Sequence, residues 1–162
     1  MSFSEKTNQI DGIFSEFEKM RDEMQRTLQE KMKGLFKAFF DAHPEVKTVH
    51  WTQYTPYFND GDECVFGVHD VHFTKTLFTE LNEREHAWGE EDDGIVIDRR
   101  WDAATHKFVK NDIDQTLINH MNKLSSICMG SANEDVMKAM FGDHVWVKAH
   151  ANGFDVEEYS HD

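Results

Sequence analysis

The sequence predicts an α+β fold, in which an antiparallel sheet of about six strands, built from three hairpins, packs against a long N-terminal helix and two shorter helices. Apolar residues recur at steps of three and four as far as residue 42, and the period changes to two after Pro44. Asp60-Gly61 and Asn152-Gly153 are typical of tight hairpin turns. With 162 residues, we expect a single domain covering residues 1–162.

The first element is a helix from about Glu5 to Ala42, which His43 and Pro44 end. It would be roughly 57 Å long, about twice the ~30 Å diameter of a small domain. Residues 1–27 are therefore expected to project, to fold back, or to pair with another chain. A homo-oligomer formed through residues 10–32 is one expectation. A helix packed on its own domain explains the same pattern.

Three hairpins are expected after this helix. The first joins strands at 46–58 and 64–73, the second runs from Ile95 to Val109, and the third turns at Asn152-Gly153. Centring the first turn on Asp60-Gly61 predicts these cross-strand pairs: Tyr57 with Cys64, Thr55 with Phe66, Gln53 with Val68, and Trp51 with Asp70. Centring the third on Asn152-Gly153 predicts these: His150 with Asp155, Lys148 with Glu157, and Trp146 with Tyr159.

Two shorter helices complete the pattern. Asn111 or Asp112 is expected to cap one that ends at Gly130, with Gln115 placed to close a capping box on Asp112, and Ser131 begins another that ends at Gly142. Residues 35–47 align without gaps to residues 136–148 with six identities, and in both places a helix leads into a hairpin. Duplication of a helix-plus-hairpin unit and coincidence both explain this match.

Composition restricts the function classes. The chain has 31 Asp and Glu against 17 Lys and Arg, a formal net charge of -14. Such a surface repels phosphate backbones, which argues against direct nucleic-acid binding and favours a basic protein partner, a cation, or mimicry of nucleic acid. No stretch reaches eighteen apolar residues and the N-terminus has no apolar signal region, so we expect a cytoplasmic protein without membrane contact. Cys64 and Cys128 are expected to be buried free thiols.

The densest acidic stretch lies between Glu80 and Gly94, where seven acidic residues accompany one basic residue, Arg84. It contains Trp88, and aromatic side chains within a charged rim are typical anchors of protein interfaces. Tyr54 and Tyr57, beside the first hairpin turn, are further candidates. The predicted partner-binding residues are Trp88, Glu90, Glu91, Asp92, Asp93, Tyr54 and Tyr57.

A metal site is a weaker candidate. His69, Asp70 and His72 form the tightest group of possible ligands for a divalent metal. On a regular strand His69 and His72 point to opposite faces, and only Asp70 and His72 share one. Half-exposed strand histidines are the simpler interpretation. No catalytic motif is present, so we assign no catalytic residue and expect no cofactor.

The run Trp51-Thr52-Gln53-Tyr54-Thr55-Pro56-Tyr57-Phe58-Asn59-Asp60-Gly61-Asp62 holds more aromatic residues than a hairpin requires. It resembles a block in small uncharacterised proteins of tailed phages and some bacteria. The resemblance covers the hairpin and its flanks. It implies a phage accessory or host-takeover protein that acts in the host cytoplasm, and it brings no established activity or catalytic residues.

The leading hypothesis is an acidic, non-enzymatic protein-binding module, with a phage accessory protein or anti-defence inhibitor as the role that the resemblance favours. Its partner would be a basic host protein surface, such as that of a nucleic-acid-binding protein. One alternative is a metal-dependent or acid–base enzyme that uses the strand His and Asp residues. Another is an oligomeric structural or assembly protein that associates through its long helix.

Overall fold

The computed structural model describes residues 1–57, 61–81, 94–95, 99–110 and 112–160. In this part of the chain the helices are α1 (Phe3–Ala42), α2 (Gln115–Met129) and α3 (Glu134–Phe141). The strands are β1 (Thr48–Tyr54), β2 (Gly67–Thr74), β3 (Arg99–Asp102), β4 (Lys107–Lys110), β5 (Val145–His150) and β6 (Gly153–Glu158). The predicted α+β class is confirmed.

The six antiparallel strands are divided between two sheets. Four form a sheet of order β2-β1-β5-β6, and β3 pairs with β4 in a separate hairpin. The central pair, β1 and β5, consists of the strands that follow α1 and α3 directly. This arrangement of two hairpins about a central antiparallel pair is the topology that a helix-plus-hairpin duplication would produce. β1 begins six residues after its helix ends and β5 four, so the ungapped match aligns residues 44–47, which precede β1, with residues 145–148 of β5.

α1 is continuous and is capped at both ends. Ser2 and Glu5 form a capping box, and the His43 amide donates to the Phe39 carbonyl. Only its C-terminal part enters the core, where Met32, Phe36, Phe39 and Phe40 are buried. The Phe36 ring stacks on Trp51 of β1 at 5.9 Å between centroids. The second half of α1 therefore covers one face of the sheet.

A buried glutamine connects the sheet to the end of α3. Gln53 has no exposed surface, and its amide nitrogen donates to the carbonyls of Met137 (3.0 Å) and Gly142 (2.7 Å). Its amide oxygen accepts from the Trp51 indole at 3.0 Å. Gly142 follows the last residue of α3, where backbone carbonyls lack helical partners, so Gln53 satisfies the Gly142 carbonyl from the strand and adds a hydrogen bond to the Met137 carbonyl.

The first hairpin has the predicted register at one end only. Gln53 pairs with Val68 as expected, but His50 pairs with His72, and the register shifts by one residue between them. Asp70 adopts a positive φ of 42°, which is typical of the extra residue in a β-bulge. The predicted pair of Trp51 with Asp70 is therefore wrong. The bulge changes which face each residue of β2 occupies.

The third hairpin turns one residue earlier than predicted, at Ala151-Asn152. Lys148 pairs with Asp155, and Trp146 pairs with Glu157, so the predicted partners are wrong by two positions. A shift of two preserves the alternation of faces, and Val147 and Ala149 are buried as the sequence pattern requires. Gly153 follows the turn with φ 139°, a conformation that residues with a Cβ rarely adopt.

The starts of the shorter helices also differ slightly from the prediction. Asp114, and not Asp112, caps α2, with its carboxylate accepting from the Leu117 amide at 3.2 Å. Ser131 begins a short 3-10 turn that leads into α3. Both differences concern the first turn, where several nearby polar residues are competent caps.

Candidate functional site

The sheet face opposite the helices carries polar and aromatic side chains. Along β1, Val49 and Trp51 belong to the hydrophobic core, so Thr48, His50, Thr52 and Tyr54 lie on the other face. Pairing across the sheet extends this surface to residues of β2 and β5. We call it the histidine face, and its main members are His50, His69, His72, Trp146, Lys148 and His150.

The bulge at Asp70 assembles this face. His72 pairs with His50 and His69 pairs with Thr52, and both partners point to the same side of β1. His69 and His72 therefore share a face, and the prediction that they point to opposite faces is wrong. Asp70 is exposed at the bulge itself. A sequence read with a period of two cannot show this change.

His50 lies at the centre of the histidine face and is fully buried. Its ring stacks on His72 with 5.1 Å between centroids, and the Trp146 indole donates to its Nδ1 at 3.2 Å. A nitrogen that accepts a hydrogen bond carries no proton, so the neutral ring of His50 is protonated at Nε2. The bond fixes this tautomer and excludes Nδ1 from metal binding.

Lys148 is the basic residue of the face. It is only 3% exposed, and its ammonium lies 2.9 Å from Glu157 and 3.8 Å from Asp155. The ammonium also lies 4.3 Å from the centre of the Trp146 ring. Charge pairing and aromatic contact together compensate for the loss of water around a buried cation.

His150 is the last residue of β5. The Phe78 ring stacks on it with 4.0 Å between centroids and 10° between planes. Burial lowers the pKa of His150, and this effect exceeds the opposing influence of Asp155, while Lys33 lowers the pKa further. The imidazole is therefore held in its neutral form.

The metal hypothesis gains no support from this arrangement. Within the described ranges, no three His, Cys, Asp or Glu side chains are grouped so that they could hold a metal ion. Of the predicted ligands, His69 and His72 share a face but Asp70 projects from the bulge. His69 instead stacks on Tyr54, and His72 on His50.

Both predicted tyrosine anchors lie at the end of the sheet where β1 finishes. Tyr54 stacks on His69 at 4.1 Å and lies 5.7 Å from Tyr159. Tyr57 is 63% exposed and stacks on His144 at 4.6 Å with 9° between the planes. We call Tyr54, Tyr57, His69, His144 and Tyr159 the aromatic end. Tyr57 is its exposed member, and the other four rings are partly buried.

Asp143 holds the backbone beneath the aromatic end. Its carboxylate accepts from the Thr55 amide (2.7 Å) and hydroxyl (2.8 Å), and from the amide of His144 (2.9 Å). Burial is the largest single influence on this carboxyl and acts to raise its pKa, but the bonds from Thr55 and His144 and the charge of His144 together outweigh it. The pKa of Asp143 is consequently lowered. Sequence reasoning missed this residue, because an Asp after a helix-ending glycine is typical of any turn.

The other predicted partner-binding residues belong to the acidic stretch. Trp88, Glu90, Glu91, Asp92 and Asp93 lie outside the described residues. The distribution of charge along the chain is nevertheless clear. α1 holds eight acidic and seven basic residues of the 31 and 17 in the chain, which leaves 23 acidic and 10 basic residues for positions 43–162. The helix is nearly neutral, and the sheet-containing domain carries almost all of the net charge.

The first half of α1 forms a second candidate surface. All residues from 8 to 24 are exposed. Gln25 and Gln29 donate to the carbonyls of Ala139 and Met140, so in the described part of the chain contact with the domain begins there. We call residues 3–24 the projecting segment. Six of its large apolar side chains, each 50–70% exposed, form one line that we call the exposed stripe: Ile10, Ile13, Phe14, Phe17, Met20 and Met24.

Comparison of the chain with protein-family models, with curated proteins and with solved structures gives no match. Of the helices in the described ranges, none combines the length and the apolar character that a membrane crossing requires.

Proposed function

We propose that this protein is an acidic, non-enzymatic binding module that engages a basic surface of another protein, of the kind that nucleic-acid-binding proteins present. The observation that carries the proposal is the separation of charge, with 23 acidic and 10 basic residues at positions 43–162 against a nearly neutral α1. A strongly acidic domain attracts basic partners and accelerates their association.

The few basic residues of the domain do little to reduce this field. Lys148 is already paired with Glu157 and Asp155 inside the histidine face, and Lys138 lies 3.6 Å from Asp143. Acidic residues therefore remain in excess in this part of the chain, and the stretch from Glu80 to Gly94 is their densest group in the sequence.

The aromatic end supplies the anchoring area that charge alone lacks. Exposed aromatic rings held in place by stacking lose little side-chain entropy on binding, and such residues contribute most of the energy at protein interfaces. Tyr57 meets both conditions, since it is 63% exposed and its ring is held against His144.

The resemblance to phage proteins favours a host protein as the partner and inhibition as the result. An acidic module that covers the basic surface of a nucleic-acid-binding protein would compete directly with nucleic acid for that surface. Such competition would be strongest at low salt, because both interactions depend on screened charges.

The test is a pull-down from bacterial lysate at low salt, followed by measurement of affinity for the recovered basic protein. One variant reverses four charges: Glu90→Lys, Glu91→Lys, Asp92→Lys and Asp93→Lys. Its matched control reverses four exposed acids of α1: Glu16→Lys, Glu18→Lys, Asp22→Lys and Glu23→Lys. The first variant should abolish binding and the control should retain it. Equal effects of the two variants, or the absence of any basic partner, would contradict the proposal.

Tyr57→Ala tests the anchor separately. It should weaken binding by roughly 1–2 kcal/mol, as expected for an interface anchor. Phe108→Ala is the control, because Phe108 is similarly exposed (66%) but belongs to the separate β3-β4 hairpin. If both substitutions change the Kd equally, the aromatic end is not the contact surface.

A further inference from the structure

The projecting segment has a different apolar spacing from the rest of α1. Ile10, Ile13, Phe17, Met20 and Met24 follow one another at steps of three, four, three and four, which is the a/d pattern of a coiled coil. From Met24 onward the steps are of four, through Leu28 and Met32 to Phe36, which packs in the core. The coiled-coil spacing is thus confined to the exposed part of the helix.

We propose that the exposed stripe binds the same stripe of a second copy of this chain, in an antiparallel two-helix pair. This inference is independent of the acidic partner. The stripe offers on the order of 700 Å² of apolar surface, given that a large side chain contributes roughly 150–250 Å² when fully exposed. A stable interface buries about 800 Å² per partner, so the stripe and its flanking residues supply the area that a dimer needs.

The part of α1 that can contact a second copy is shorter than the range 10–32 expected from the sequence. Leu28 is packed against the hydrophobic core and Met32 is only 6% exposed, so both contact their own domain. The segment left for a partner ends at Met24, immediately before Gln25 makes its hydrogen bond to α3.

The position of the domain favours one orientation of the pair. Successive residues turn an α-helix by about 100°, so the buried residues Met32, Phe36, Phe39 and Phe40 point on average roughly 90° around α1 from the exposed stripe. In a parallel pair, both domains would lie side by side at the same end of the pair. In an antiparallel pair they lie at opposite ends, each next to the N-terminus of the partner helix.

Charge favours the same orientation. A parallel pair would bring together two domains that each hold 23 acidic and 10 basic residues. In the antiparallel pair they are separated by the projecting segment, which is roughly 33 Å long at ~1.5 Å per residue. That distance is several times the Debye length of ~8 Å at physiological ionic strength, so the repulsion is screened.

Centring the pair near residue 15 aligns the apolar layers. It brings Ile10 opposite Met20 of the second copy and Ile13 opposite Phe17, in both directions. The same alignment places the two Ile10 residues about 15 Å apart along the axis, far beyond the ~7 Å limit between the Cα atoms of a disulfide.

The first test is the mass of the full chain in solution by sedimentation equilibrium over a range of concentrations. The expected mass is twice 19.0 kDa. Phe17→Glu places a carboxylate in the apolar seam and should raise the dimer Kd roughly tenfold or more. Ser15→Glu adds the same charge on the opposite side of the helix and should leave the dimer intact. Circular dichroism of both variants should match the unmodified protein, because residues 8–24 are exposed.

The second test is disulfide trapping in a Cys64→Ser background. Ile10→Cys and Met20→Cys should each remain uncrosslinked alone and should crosslink when the two variants are mixed and oxidised. A monomer at every concentration, equal effects of Phe17→Glu and Ser15→Glu, a larger oligomer, or crosslinking of Ile10→Cys with itself would each overturn the proposal.

Discussion

Replacement of Gln53 by leucine should destabilise the fold strongly, although the two side chains are similar in size. Gln53 is fully buried and serves three groups: the Trp51 indole, the Met137 carbonyl and the Gly142 carbonyl. Each buried group left without a partner costs ~1–3 kcal/mol. Burial of the leucine side chain returns roughly 1.5–3 kcal/mol.

The expected decrease in the free energy of unfolding is therefore about 2–5 kcal/mol, or a fall in Tm of roughly 10 °C for a chain of this size. Urea denaturation followed by circular dichroism measures it directly. Gln115→Leu is the control, since Gln115 is exposed and bonds only to Asn119 in the described structure, and it should change stability by less than ~0.5 kcal/mol. A decrease below ~1 kcal/mol for Gln53→Leu would refute the role of Gln53 as the connection between the sheet and α3.

Two other titratable groups lead to further predictions. The pKa of Asp143 is lowered in the folded state, so its carboxylate stabilises the fold above the pKa of the unfolded chain, about 4, and loses this effect as the pH falls through the lower folded value. The loss of unfolding free energy in Asp143→Asn should accordingly be greatest near pH 7 and should shrink below about pH 4; a loss that is the same at every pH would contradict the assignment. Burial raises the pKa of Cys128 to about 12, so iodoacetamide at pH 8 should alkylate the partly exposed Cys64 in the folded protein and reach Cys128 only after unfolding, as peptide mass spectrometry would show.

The helices and strands follow from local patterns in the sequence. The long helix, the change of period after Pro44 and the turn beside Gly153 each depend on neighbouring residues, so α1 and the third hairpin could be predicted. The division of the strands into two sheets could not, because sheet membership depends on contacts between distant residues.

The arrangement of the histidine face could not be predicted from the sequence, because it depends on the bulge at Asp70. Asp70 tolerates a positive φ better than most residues, but an aspartate between two histidines gives no sign that it will form a bulge. The single extra residue moves His69 relative to His72 and brings His72 opposite His50. In the third hairpin, a shift of two residues leaves every face unchanged, so burial patterns cannot distinguish the two registers.

The acidic residues of β6 have a consequence for aggregation. In the described sheet β6 pairs only with β5, so its other side presents a strand edge. Three of its six residues are acidic: Asp155, Glu157 and Glu158. A second copy adding its own β6 there would place carboxylates beside carboxylates, and like charges on a strand edge discourage such addition. Growth of the sheet from chain to chain is thereby opposed at this edge, whereas the proposed helix pair would join two copies through the nearly neutral α1.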